Sequence, residues 1–188
     1  MRREIKWTRE PSHGNNTTVM TALINANLHY LAQTKRLLAQ LDDQDFGHQS
    51  KAFYGSTIGG HVRHCLDHYD SFLNGLENGK VDYDQRMRLP ALETETKSAA
   101  AKTSEIHAKL EATIHNSPPV GLLVKMDCGV EDSEWQPSTL GRELQFLVSH
   151  TVHHFAMIGG ICRELEIEPE ADFGVAPSTI RHRAATSA

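Results

Sequence analysis

The sequence predicts an all-α protein built as an antiparallel four-helix bundle. Four long segments carry apolar residues at the three- and four-residue spacing of a helix that buries one face. Residues that cap or stop helices stand near the ends of these segments. Only one short segment favours strands, and it predicts a small β-hairpin between the third and fourth helices. This combination favours a helical bundle with a small β element.

Length and composition indicate one globular domain spanning residues 1–188. A chain of 188 residues buries a core without disulfide staples, and its apolar fraction of 39% is ordinary for a globular protein. The formal charge of −5 argues against nucleic-acid binding, because the chain has no basic excess to neutralise phosphates. The predicted partner is a small-molecule substrate and not a nucleic acid.

The chain lacks the signals of export and of membrane insertion. Its N-terminus, MRREIKWTREPSHGNN, has no apolar core of a secretory signal, and no apolar run reaches the ~18–20 residues of a membrane span. Three cysteines form no Cys-x-x-Cys pair, which fits reduced thiols. These features predict a cytoplasmic protein with no membrane partner.

The first half of the chain predicts two helices after a polar leader, residues 1–14. The first helix follows the leader, with Asn16 or Thr17 as its cap, and ends near Leu41. The second begins at Ser56 or Thr57 and runs to about Leu76. A charged loop, VDYDQRMRLP, comes next.

The second half predicts the other two helices and the hairpin. The third helix spans about 92–115 and is stopped by Pro118-Pro119. The hairpin occupies 120–136, and the fourth helix runs from a cap at Ser138 or Thr139 to about Leu165, with Arg142 and Glu143 as surface groups. The bundle is thus predicted over 15–167, followed by a C-terminal tail, 168–188, without clear periodicity.

The fourth helix contains SHTVHHFAMIGG, in which three histidines interrupt an apolar pattern. His150 and His154, four residues apart, lie on one flank of the apolar face, and His153 lies farther out. Two imidazoles one turn apart can reach a single ion, although a third ligand must come from another helix. Thr151 stands where a zincin protease has its glutamate, so that protease class is a poor match.

The second helix supplies candidates for the third ligand: His61, His64 and His68. The helical wheel does not choose among them, and an edge position favours His64 slightly. The alternative is that these histidines are hydrogen-bonded core residues, which is the commoner role of a single buried histidine.

Two segments, STIGGHVRHCLDHYDSFL and TLGRELQFLVSHTVHHFAMIGG, resemble the DinB/YfiT-like superfamily of metal-binding four-helix bundles. The resemblance covers about residues 17–165. It implies that His64, His150 and His154 are the metal ligands, that His153 and His68 lie beside the site, and that Asp67 occupies a position where some members carry an acid.

The same resemblance implies a divalent ion, zinc or nickel first and iron as an alternative. Members with known activity include thiol S-transferases that use bacillithiol or mycothiol, a mycothiol-dependent maleylpyruvate isomerase and proposed hydrolases. A metal-dependent thiol S-transferase with a low-molecular-weight thiol as second cofactor is thus the favoured function. A metal-dependent hydrolase and a non-catalytic metal-containing module for binding or homodimer formation are the alternatives.

Residues around the predicted ligands suggest how such a site would work. Three imidazoles leave an ion with an open position, where it lowers the pKa of a bound water or thiol. Asp67 is predicted to orient an imidazole or accept a proton, the alternative being an exposed partner of Arg63. Arg86 or Arg88, in the charged loop, is predicted to bind the carboxylate of a substrate or thiol, the alternative being a solvated loop.

Overall fold

A computed structural model of the protein describes residues 13–114, 121–129 and 133–186. The elements in these ranges are α1 (His13–Leu38), α2 (Asp43–Phe46), α3 (Ile58–Leu76), β1 (Lys80–Asp82), α4 (Ala91–Thr94), α5 (Thr96–Ala112), β2 (Gly121–Lys125), β3 (Gln136–Thr139), α6 (Leu140–Glu164) and α7 (Pro177–Thr186). The predicted helical class is confirmed, with α1, α3, α5 and α6 as its four long helices. Most of the predicted leader and the Pro118-Pro119 stop lie outside the described residues, and α1 begins at His13, earlier than predicted.

The four long helices pack as a closed ring in which α1 and α3 each contact both α5 and α6. A buried polar cluster ties three of them together at the centre. The Asn27 side chain donates to the Leu144 carbonyl at 3.0 Å and accepts from the Tyr69 hydroxyl at 2.9 Å. Because each of these buried bonds needs one relative placement of the helices, the cluster fixes how α3 and α6 face each other.

The helices are amphipathic, with one face in the core and the other toward solvent. Apolar side chains and a few satisfied polar groups fill the interior of the ring. Within the described residues, no helix is long and apolar enough to cross a membrane.

The third predicted helix is divided in two, which corrects the prediction of one continuous helix over 92–115. Glu95 has an extended backbone, with φ −124° and ψ 111°, between α4 and α5. The break lets α4 approach α3 closely, since a Cβ on Gly59 would collide with the Glu93 carbonyl oxygen. Asp43 then accepts from the Thr96 backbone N–H at 2.8 Å and stabilises the start of α5.

A β-hairpin lies between α5 and α6 as predicted, although its second strand, β3, begins only at Gln136, the predicted end, and the hairpin belongs to a three-stranded sheet. β2 pairs antiparallel with β3, and β1 pairs parallel with β2 on its other side. β1 forms in a segment predicted as loop, because its backbone partner lies about forty residues farther along the chain. Thr139 accepts from the Arg142 N–H at 3.2 Å and caps α6, as predicted. The sheet thus connects the end of α3 to the start of α6.

The C-terminal tail packs against the bundle, although its sequence shows no clear periodicity. The Tyr30 hydroxyl donates to the Val175 carbonyl at 2.8 Å, and Phe173 stacks on Phe155 with ring centroids 4.4 Å apart. Gly174 has φ +67°, and a Cβ there would lie 2.7 Å from the Phe155 side chain. The tail therefore covers α1 and α6 and ends in α7.

Candidate metal centre

Three histidines from two helices converge on one point between α3 and α6. One ring nitrogen from each of His64, His150 and His154 lies within 4.8 Å of the other two. All three side chains are partly buried. These are the residues that the resemblance implies as ligands, and the tertiary structure brings them together.

The spacing of these imidazoles suits a single ion. The Nε2 atoms of His64 and His150 lie 3.1 Å apart. Two nitrogens bound to zinc in tetrahedral geometry, with bonds of about 2.05 Å, lie about 3.3 Å apart. A three-imidazole donor set with this spacing fits a divalent transition-metal ion.

Burial keeps the three rings neutral. Loss of solvent, reinforced by neighbouring imidazoles, lowers the pKa of His64 to about 3, that of His150 to about 2 and that of His154 to about 4. Near pH 7 each ring therefore has an unprotonated nitrogen. Metal binding needs such a lone pair, so the electrostatics agree with the spacing.

His61, which the predicted ligand set leaves out, also belongs to the cluster. Its Nδ1 lies 3.0 Å from Nδ1 of His154, and its Nε2 lies 3.2 Å from Oγ of Ser56. The sequence signal was its position one turn before His64 on α3. Only the facing helix shows that the ring of His61 meets His154 rather than the core.

The other two predicted neighbours occupy different positions. His68 is buried behind the cluster, where its ring stacks on His150 at 4.1 Å between centroids and its Nδ1–H donates to the His64 carbonyl at 2.9 Å. His153 is exposed and meets His154 edge-on, with centroids 5.2 Å apart. His68 thus supports His150 from within, whereas His153 lies at the rim.

Of the two predicted arginines, the structure brings only Arg86 to the cluster. Its Nη1 lies 3.2 Å from Nδ1 of His64, and because a guanidinium only donates, Nδ1 is the acceptor. The Nε of Arg86 is buried without a hydrogen-bond partner among the described residues. Arg88 is exposed on the same loop, with φ +47°.

Asp67 is buried next to the cluster, and its carboxylate forms an ion pair with Arg63 at 2.8 Å. Asp67 therefore pairs with Arg63, as the predicted alternative had it, but its carboxylate is buried rather than exposed. Burial raises the pKa of Asp67, and the adjacent Arg63 opposes that shift. Arg63 also bonds Glu93 at 2.7 Å, so the ion pair links α3 to α4.

A second buried carboxylate supports the cluster from the sheet side. Glu143, predicted as a surface group, is instead fully buried. Its carboxylate accepts hydrogen bonds from the Tyr83 hydroxyl at 2.7 Å and from the Ser138 hydroxyl, which satisfy it in the interior. The Tyr83 ring stacks on His68, with centroids 5.4 Å apart. Sequence reasoning missed this contact because Tyr83 directly follows β1, Ser138 lies on β3 and Glu143 lies on α6. Arg142 is exposed as predicted.

Comparison with known proteins adds a family to this geometry. A model of the DinB superfamily matches residues 29–158, a segment that includes all three converging histidines. A curated protein named FK506-binding protein 5, from Rhizopus delemar, is 31% identical over 143 residues. That match covers 75% of this chain and 32% of the relative, so the chain spans about a third of the length of that protein.

Proposed function

This chain belongs to the DinB superfamily, and from that premise we propose that it binds one divalent ion through His64, His150 and His154 and transfers a low-molecular-weight thiol to an electrophile. The observation that carries the proposal is the convergence of three neutral imidazoles with ligand-like spacing. Zinc or nickel suits the donor set.

The residues around the cluster have separate tasks in this proposal. A divalent ion held by three imidazoles keeps an open position, where it lowers the pKa of a bound thiol. The stack of His68 on His150 restricts the rotation of that ligand ring. Arg86 is half-buried beside His64, and in this proposal its guanidinium binds a carboxylate of the thiol in a bidentate contact.

Asp67 contributes through Arg63, with which its carboxylate forms an ion pair at 2.8 Å. The ion pair joins Oδ2 of Asp67 to Nη1 of Arg63 and places a compensated negative charge on α3. We therefore assign Asp67 a supporting role and expect Asp67→Asn to affect the stability of α3 more than the reaction.

The test measures metal content and thiol transfer on the same preparations. Elemental analysis should find one zinc or nickel per chain, and conjugation of a carboxylate-bearing thiol to a halogenated aromatic electrophile should stop on chelation and return when the ion is restored. His153→Ala, a change at the rim, is the matched control and should keep both properties. Arg86→Gln should raise KM for the thiol and leave the ion bound.

Other outcomes replace parts of the proposal. Ester or amide hydrolysis without any thiol would make the protein a metal-dependent hydrolase. An ion bound at full occupancy with neither activity across broad panels would make it a metal-containing binding module. A chain that binds no divalent ion would overturn the whole proposal.

A further inference from the structure

A directional chain of hydrogen bonds leads from a backbone carbonyl to one of the three converging histidines. The Ser56 hydroxyl donates to the Phe53 carbonyl at 2.7 Å. Nε2 of His61 lies 3.2 Å from that hydroxyl oxygen, and Nδ1 of His61 lies 3.0 Å from Nδ1 of His154. Every member of the chain is at least partly buried.

The carbonyl at the end of the chain sets the direction of each bond. A carbonyl only accepts, so the single hydroxyl proton of Ser56 points to Phe53 and the Ser56 oxygen accepts from His61 Nε2–H. A neutral imidazole carries one proton, and therefore Nδ1 of His61 is an acceptor. Nδ1 of His154 must then carry the proton, which leaves Nε2 of His154 with its lone pair free.

We propose that Ser56 and His61 are positioning residues that hold His154 in the tautomer with Nδ1 protonated, so that Nε2 is its ligand atom. The part of this inference that concerns a ligand rests on the proposed function. The tautomer itself follows from the bonds among Phe53, Ser56 and His61. Partners of this kind commonly orient a ligating histidine, but here the partner is an imidazole anchored on a backbone carbonyl.

The loop before α3 is anchored, and this keeps the geometry of the hydrogen bonds from Phe53 to His154. The Phe53 ring packs directly on Gly160 of α6, where a Cβ would collide with it. Ser50 donates to Glu164 at 2.5 Å and accepts from the Phe53 N–H at 3.2 Å. Since these contacts attach the loop to the helix that carries His154, Ser56 and His154 are held on one frame.

Hydrogen-bond direction at His64 is the opposite and provides an internal comparison. Arg86 donates to Nδ1 of His64, so the proton of that ring is on Nε2. The two rings are therefore expected in different tautomers within one protein. This difference can be measured directly.

The experiment records long-range ¹H–¹⁵N correlations of the histidine rings in the full-length protein, both metal-free and zinc-loaded. Nitrogen shifts distinguish a protonated from an unprotonated ring nitrogen. In the metal-free protein, His154 should show protonated Nδ1 and unprotonated Nε2, whereas His64 should show the reverse. Protonated Nε2 on His154, or an even mixture of its tautomers, would overturn the inference.

Two substitutions test whether the hydrogen bonds of Ser56 and His61 cause the tautomer of His154. Ser56→Ala removes the acceptor for His61, and His61→Phe keeps the ring volume without either nitrogen. Each should convert His154 to a tautomer mixture and weaken zinc binding about tenfold, measured by competition with a chromophoric chelator. Ser56→Thr keeps the hydroxyl and should behave as the unmodified protein, and His153→Ala is the control for loss of a neighbouring imidazole.

The readouts separate this inference from the proposed function. If Ser56→Ala and His61→Phe both leave the His154 tautomer unchanged, the positioning role is wrong even when zinc binds. If either variant fails to fold by circular dichroism, the other variant and the tautomer of the unmodified protein still decide the matter. If the tautomer is as expected but no divalent ion binds, the proposed function fails and the assignment of Ser56 and His61 to the His154 tautomer stands.

Discussion

The two sides of the histidine cluster present their rings to the same point in opposite ways. On the α6 side, Nδ1 of His61 accepts a hydrogen bond from Nδ1–H of His154, and Nε2 of His154 stays free. On the α3 side, Arg86 donates to Nδ1 of His64, so Nε2 carries the proton and donates it to Nε2 of His150. His154 thus presents a free Nε2, whereas Nε2 of His64 is occupied by a hydrogen bond, and Nδ1 of His150 and Nε of Arg86 are buried without a hydrogen-bond partner among the described residues.

The two arrangements indicate where rearrangement would occur when an ion binds. His154 needs no change of tautomer, but His64 must move its proton from Nε2 to Nδ1, and Arg86 must then leave because two donors cannot face each other. Arg86 lies on a loop without helix or strand, while Ser56 lies on a loop fixed to α6. A guanidinium released from His64 would then be available for the anionic thiol of the proposed reaction, and this would connect ion binding to substrate binding.

Removal of a ligand is the largest effect and tests whether the two sides share one ion. His64→Ala and His154→Ala should each weaken zinc binding more than about a hundredfold, the upper range for changes that only affect a ligand's partner. The measurement is chelator competition, with His153→Ala as control. If only one of the two variants loses affinity, the two sides do not hold a common ion.

Stability against pH is the next effect, and it tests what the two sides have in common, which is burial. The unfolded chain takes up protons on these imidazoles near the ordinary pKa of 6.5, whereas burial lowers the pKa of His64 to about 3 and that of His154 to about 4. The stabilisation that the neutral rings provide is therefore fully present above pH 6.5. It is lost as the pH falls toward the pKa values of these histidines in the folded protein.

Thermal unfolding of the metal-free protein should accordingly show a falling Tm from pH 7 to pH 4. His64→Phe and His154→Phe should each make that dependence shallower by a similar amount, since both rings are buried alike. A Tm that is flat over this range would mean that the rings are more accessible to water than the structure indicates.

The smallest expected effect is on zinc affinity in a variant of Arg86, and it distinguishes the His64 side from the His154 side. Arg86→Gln supplies an amide oxygen that can accept from Nδ1–H of His64, so this variant should favour the ligand tautomer. Loss of one net hydrogen bond is worth about 1 kcal/mol, which predicts about fivefold tighter zinc binding. Ser56→Ala should change affinity in the other direction, and weaker binding in both variants would show that Arg86 supports the site.

Helix formation is the part of the structure that the sequence predicted most directly. Apolar spacing and the caps at Thr57 and Thr139 are local features, and both caps accept from the backbone N–H three residues ahead. The break at Glu95, the strand β1 and the burial of Glu143 were not predicted, because each depends on a partner far along the chain. The same is true of the tail, whose contacts with Tyr30 and Phe155 have no local signature.

The four-residue spacing of His150 and His154 alone puts both on one helix face, since the 3.6-residue period sets their direction. The sequence favoured His64 only slightly over His61 and His68 until the family resemblance selected it. Only the packing of α3 on α6 decided that His64 meets His150, that His61 meets His154 and that His68 lies behind them. Helical periodicity fixes directions within one element, whereas tautomers and ligand spacing depend on distances between elements, which only the tertiary contacts set.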